Sequence, residues 1–113
     1  MHMSLDQAFA ALADPTRRGI VVHLARGEAT VTELVDQFDL TQPTISSHIK
    51  VLESAGIVSR TRKAQTRPCQ LVADRLGEIN EWLGQVQDVW EGNYKRLDAL
   101  LTELQQARKK GKK

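Results

Sequence analysis

The segment TQPTISSHIKVLESAGIV, from Thr41 to Val58, constrains the fold more than any other part of the chain, because both ends and one face of a helix are written into it. Thr41 is a capping residue, Pro43 is tolerated in a first turn where its missing N–H is not needed, and Gly56 suits the left-handed position that ends a helix. Between them Ile45, Ile49 and Leu52 recur at i, i+4, i+7, a buried stripe at helical period. Gln42, Ser46, Ser47 and Lys50 point away from that stripe. The segment therefore predicts a short helix that shows a polar face to a groove, and DNA offers such a groove.

The residues upstream predict three more helices. Ser4 with Gln7 has capping-box spacing and opens a first helix through Leu5, Ala8, Phe9 and Leu12. Asp14-Pro15 reads as an N-cap followed by proline at the first helical position, launching a second helix through Ile20, Val21 and Leu24 that Gly27 stops. Thr30 with Glu33 repeats the capping-box spacing and starts a third helix through Val31, Leu34, Val35 and Phe38. Asp39-Leu40-Thr41 is the next break. Two short helices about three residues apart, the second amphipathic and polar outward, match a helix-turn-helix over about 31–55.

Strand-like composition follows at Ile57 to Lys63 and Arg67 to Val72, flanking Ala64-Gln65-Thr66. A β-hairpin is expected over about 57–72, although its turn lacks the usual Gly or Asn. Pro68 cannot donate to a ladder, so it marks the second strand as an edge or as beginning there. A hairpin directly after such a helix, with arginines toward its tip, is a wing that would lie along phosphates.

The net charge of +2 is unevenly spread. Arg60, Arg62, Lys63 and Arg67 fall between Ile57 and Pro68 with no acidic residue among them, and the KKGKK end carries the other basic cluster. A local basic patch is the electrostatic footprint of phosphate binding, where counterion release supplies most non-specific affinity. The terminal run at 108–113 is expected to be a basic disordered tail with at most accessory electrostatics. Cys69 is the one cysteine, which excludes an intrachain disulfide and favours a structural role.

From Asp74 onward Ile79, Leu83, Val86, Trp90, Asn93, Leu97, Leu100 and Leu104 alternate spacings of four and three, an a/d ladder through nearly four heptads. Trp82, Leu83 and Val86 can pack partly on their own domain. The rest of the stripe exceeds what a small core can cover, and a partner subunit is its natural cover, with Asn93 as a polar register position. Gly84 and Gly92 can kink this region, so one helix or two nearly collinear ones are expected. Apolar residues make up 41% of the chain and charged ones 27%, ordinary for a folded protein. No apolar run approaches the roughly 20 residues of a membrane span. A single domain over 1–107, cytoplasmic and without membrane contact, is expected. His2 between two methionines reads as a cloning remnant ahead of a start at Met3.

The chain resembles the ArsR-type winged helix-turn-helix repressors. ALADPTRRGIVVHL is similar to the family's entry into the second helix, TVTELVDQFDLTQPTISSHIKVLESAGIV to its helix-turn-helix, and SRTRKAQTRPCQL to its wing. The similarity spans residues 5 to about 90. It implies a mainly α fold with a small β-hairpin, a winged helix-turn-helix with a long C-terminal dimerisation helix. It also implies a homodimer joined through the first and last helices, two recognition helices in successive major grooves of double-stranded DNA, and repression by occluding a promoter, often the protein's own. Ser47 stands where many relatives carry arginine. The family's metal sites need a Cys-x-Cys pair in the third helix or Asp/His and His/Glu pairs between the C-terminal helices. Glu33 to Phe38 contains no cysteine and no histidine follows His48, so the resemblance is to a metal-independent branch, with no cofactor expected.

On these grounds Gln42, Thr44, Ser46, Ser47 and Lys50 are candidate base-edge and phosphate contacts. His48 lies nearer the apolar stripe, so a packed or phosphate-touching imidazole stands beside a base reader. Thr16, Arg17 and Arg18 are candidate phosphate contacts, with a salt bridge to Asp14 or Glu33 as the alternative. Arg60, Arg62, Lys63, Gln65 and Arg67 would act mainly on phosphates, with one of them a candidate for the minor groove. The candidate dimer interface is Leu5, Phe9 and Leu12 with Leu83, Val86, Trp90, Asn93, Leu97, Leu100 and Leu104. The operator is expected to be an inverted repeat. An enzyme is the weakest rival, since no Gly-rich phosphate loop appears and Cys69 has no motif-linked histidine. A thiol-redox or small-molecule-responsive repressor on the same fold, and a winged-helix module that binds protein, stay open at this point.

Overall fold

A computed structural model of the chain describes residues 5–62 and 66–111. The element order is α1 (Leu5–Ala11), α2 (Pro15–Ala25), α3 (Val31–Phe38), α4 (Gln42–Ser54), β1 (Val58–Arg60), β2 (Cys69–Leu71) and α5 (Ala73–Gly111). The chain divides into two compact units, Met1–Ile79 and Asn80–Lys113. None of the described helices is long and apolar enough to cross a membrane.

The helices begin where capping chemistry puts them. Asp14 accepts the Arg17 backbone N–H at 3.0 Å, Thr30 that of Glu33 at 3.2 Å, and Thr41 that of Thr44 at 3.4 Å, each satisfying a donor the helix leaves orphaned. Ser4, the proposed cap of α1, lies outside the described residues. The turn between α3 and α4 is made by Asp39 at φ 52°, ψ 45°, a left-handed position that a short polar side chain tolerates.

Helix α4 ends in a complete Schellman motif. The N–H of Ile57 donates to the Leu52 carbonyl at 3.0 Å and that of Gly56 to the Glu53 carbonyl at 2.9 Å, with Gly56 at φ 74°. Leu52 and Ile57, which such a motif brings together, are both fully buried. A Cβ on Gly56 would also lie 3.1 Å from the Arg75 Nε. Gly56→Ala is therefore expected to lower stability by about 1–2 kcal/mol, the cost of a left-handed L-residue. A urea midpoint that falls while the slope stays constant is the readout.

The core of the first unit forms where α2, α3, α4 and the hairpin meet. Ile20, Leu34, Ile45, Ile49, Leu52 and Ile57 are fully buried, and Leu5, Leu12, Phe38 and Leu76 pack against them. Gly19 has a packing role: a Cβ there would sit 2.9 Å from Phe38 Cε1, so its absence lets the α3 ring lie close on α2. The same ring meets His23 edge-on, with centroids 6.2 Å apart.

The strands pair antiparallel as Val58↔Leu71, Ser59↔Gln70 and Arg60↔Cys69. They are shorter than the predicted 57–63 and 67–72, although Thr61 N–H to Pro68 O and Val72 N–H to Ile57 O extend the ladder at 3.1 and 2.8 Å. On its other side Cys69 exchanges two backbone hydrogen bonds with Ala29, at 2.7 and 3.1 Å. Both roles open to Pro68 are realised: β2 starts just after it and belongs to a two-stranded sheet, with Cys69 also bridged to Ala29. Lys63, Ala64 and Gln65 lie outside the described residues.

Helix α5 is continuous for 39 residues, passing Gly84 and Gly92 without a break. It runs to Gly111, beyond the expected start of a disordered tail at 108; residues 112 and 113 are outside the description. Its first turns belong to the core, where Ile79 is 8% exposed. In the second unit Trp90 is 60% exposed and Leu97, Leu100 and Leu104 are about half-exposed. Trp90 and Tyr94 meet edge to face at 5.3 Å.

Candidate nucleic-acid interface

Helix α4 sorts its residues by face. Ile45, Ile49 and Leu52 are fully buried, while Gln42, Thr44, Ser47 and Lys50 are exposed and Ser46 and His48 half-buried. Its first turn carries no acidic residue, so the partial positive charge of the helix N-terminus is uncompensated. Thr44 is drawn into the cap, its hydroxyl 2.8 Å from that of Thr41.

The arginines of α2 do something the sequence did not disclose. Arg17 donates Nε–H to the Ala11 carbonyl at 2.6 Å and Nη2–H to the Ala10 carbonyl at 3.4 Å, and its Nη1 lies 3.3 Å from His48 Nδ1. Arg18 donates Nη1–H to the Leu12 carbonyl at 2.9 Å. Both side chains therefore bond carbonyls at and just past the end of α1, where the helix runs out of its own donors; the Ala10 carbonyl also accepts the Ala13 N–H at 3.2 Å. Neither proposed role, a phosphate contact or a side-chain salt bridge to Asp14 or Glu33, accounts for these bonds. Thr16, the third candidate there, is half-buried.

The wing arginines also divide. Arg60 is turned toward α4, its Nε 3.5 Å from the Glu53 carboxylate with its side chain 21% exposed, while Arg62 and Arg67 are exposed. Lys63 and Gln65 lie outside the described residues. Arg60 and Arg67 line an open cleft of about 320 Å3 together with Thr30, Val31 and Thr32 at the start of α3. Sequence reasoning passed over those three, whose only visible signal was the capping box.

Among the described residues two groups have displaced acidities. Burial pushes the Cys69 thiol above its ordinary 9.0, against the opposing charge and hydrogen bond of Arg60. The backbone hydrogen bond from Arg17, helped by that of Thr16 and by the charge of Arg17, holds the Asp14 carboxyl below 3.8 despite some desolvation. A carboxylate depressed in the folded state contributes stability that is fully present above its unfolded value and is lost as pH falls through the folded one. Asp14→Asn retains a capping acceptor without the titration. The variant is expected to lose less stability than the parent as pH falls from about 5 toward 2. Urea midpoints measured across that range check this, and parallel curves for the two proteins would count against it.

No group of three or more His, Cys, Asp or Glu residues close enough to hold a metal ion occurs among the described residues. Of the candidate interface residues on α1, Leu5 and Leu12 are half-buried and Phe9 is 36% exposed.

Comparison with known proteins gives a consistent set of similarities. The profile of the bacterial regulatory protein, arsR family, matches residues 14–60. The transcriptional repressor SdpR of Bacillus subtilis is 36% identical over 79 residues, covering 70% of this chain and 88% of that protein. Among solved structures, the crystal structure of an ArsR family transcriptional regulator superposes with a TM-score of 0.69 at 38% identity, over 77% of this chain and 96% of that one. A homodimeric winged helix-turn-helix DNA-binding domain from Mycobacterium bovis, described as a possible ArsR-family regulator, gives a TM-score of 0.61 at 25% identity, over 74% and 81%.

Proposed function

The chain belongs to the ArsR family of bacterial regulatory proteins, and from that premise we propose that it is a homodimeric, sequence-specific repressor that occludes promoters, its own among them. The observation that carries this reading is the division of α4 into a buried apolar stripe and a polar face with an acid-free N-terminus. Gln42 and Lys50 have the chemistry to read adenine and to grip guanine or phosphate, and Ser46 and Ser47 accept or donate as the base requires. Arg62 and Arg67 on the wing supply phosphate contacts that set affinity more than sequence choice.

Two copies bring two such helices to an inverted repeat, whose half-sites lie about 34–36 Å apart when one helical turn separates them. The exposed ladder of α5 and the homodimeric M. bovis neighbour support the second copy. Control is independent of metal in this reading, because α3 contains no cysteine and no histidine follows His48. A redox-responsive version is not favoured, since the one thiol is fully buried in the core.

Selection of duplexes from a random pool, followed by titration with the purified protein at several salt concentrations, tests the reading. A selected inverted repeat supports it; binding without sequence preference, or none in moderate salt, sinks it and favours a protein-binding module. In the same titration Arg62→Ala is expected to lower the slope of log affinity against log salt by about 1 per protomer, about 2 for the dimer. An unchanged slope removes Arg62 from the interface.

A further inference from the structure

One side chain ties the end of α1 to the recognition helix. Arg17 spends its Nε–H and one Nη2–H on the Ala11 and Ala10 carbonyls, and this fixes the plane of the guanidinium, whose fork is rigid. Nη1 is thereby held 3.3 Å from Nδ1 of His48, a residue from a different helix and 31 positions along the chain. Asp14 anchors the other end of the arrangement, accepting Arg17's own backbone N–H at 3.0 Å. Neither Arg17 nor His48 is fully exposed.

The chemistry of the pair has a single solution. A guanidinium has donors only and stays charged, so the nitrogen it faces must accept. A neutral imidazole that accepts at Nδ1 carries its proton on Nε2. A protonated imidazole, or one with its proton on Nδ1, would set donor against donor.

We propose that Arg17 is a positioning residue for DNA recognition: it holds His48 as the neutral Nε2–H tautomer, so that α4 offers a hydrogen-bond donor there, anchored to the end of α1. This rests on the DNA-binding reading above. It also narrows what His48 can recognise. Its partner on the duplex must be an acceptor, either a purine N7, guanine O6 or thymine O4 on a base edge or a phosphate oxygen.

The test begins without DNA. In the full chain labelled with 15N-histidine, long-range 15N–1H correlation at pH 7.5 is expected to show His48 with Nδ1 bare and Nε2 protonated. In Arg17→Met the same residue is expected to shift toward an averaged mixture of tautomers. An Nδ1–H form in the parent, or an identical pattern in the variant, overturns the proposal. Should Arg17→Met fail to fold, substitutions at His48 decide the matter on a selected duplex. His48→Gln places its amide near the Nε2 position and His48→Asn places it near Nδ1, so the Gln variant is expected to bind roughly fivefold more tightly than the Asn variant, the worth of one hydrogen bond. Equal binding by the two overturns the proposal. Duplexes carrying 7-deazaguanine or methylphosphonate linkages separate a purine N7 from a phosphate as the acceptor. A parent protein that selects no duplex overturns the functional reading instead, a failure the histidine spectrum distinguishes.

Discussion

Glutamate at both Leu97 and Leu100 is expected to leave the protein monomeric and to weaken operator binding by roughly two to four orders of magnitude, the size of a lost second binding event. Both leucines sit on the exposed ladder of α5, 51% and 52% accessible in the single chain. They occupy successive a and d positions, where a second copy would enclose them. Buried unpaired carboxylates repel one another and lose their hydration, so the paired state carries the whole penalty. The helix itself should survive, because glutamate is a good helix former and both sites face outward in the monomer. The change also lies beyond Ile79, the last buried residue of the first unit. Sedimentation of parent and variant at equal concentration reads the oligomeric state, and anisotropy with the selected duplex reads affinity. A variant that still sediments as a dimer shows that the ladder is not the interface.

Ile49→Ala is the second large effect, and it acts through the buried face of α4, opposite the face proposed to meet DNA. Ile49 is fully buried on the α4 stripe with Ile45 and Leu52. Removing its branched side chain loses transfer free energy and leaves a cavity, together costing about 2–5 kcal/mol. A domain of this size holds roughly 5–10 kcal/mol in all, so the variant should be partly unfolded at modest urea. Ser47→Ala is the control. Ser47 is exposed one turn-face away, and its loss should change stability by less than about 0.5 kcal/mol while weakening duplex binding. Both must be measured at one protein concentration, since dimer formation adds to apparent stability. If Ile49→Ala left the urea midpoint in place, the assignment of faces on α4 would be wrong.

The two faces of α4 were legible because both are local. A cap, a stripe at helical period and a glycine in the left-handed position act within a few residues of one another, and the structure realises each one. The N-caps at Asp14 and Thr30 follow the same logic. The ladder of α5 was legible for its periodicity, and its glycines did not break the helix, since each only weakens a helix that its neighbours continue.

The site was less legible wherever an arginine had to choose a partner. For Arg17, Arg18 and Arg60 the sequence offers a phosphate contact, or for the first two a salt bridge to Asp14 or Glu33, since a sequence records charge but not which acceptors within the fold lie within reach. Tertiary packing brings the open carbonyl end of α1 against the first two and Glu53 against the third.

The amino-acid sequence by itself determined where α2, α3 and α4 start and where α4 stops, which face of α4 is buried and which stripe of α5 is apolar, because capping and periodicity are short-range. Only the tertiary structure decided that Gly19 makes room for Phe38, that Cys69 is paired on both sides, and that Arg17 serves α1 and His48. Those outcomes depend on which unsatisfied groups meet across the fold. That is fixed when the core of Ile20, Leu34, Ile45, Ile49 and Leu52 closes, and by no residue's immediate neighbours.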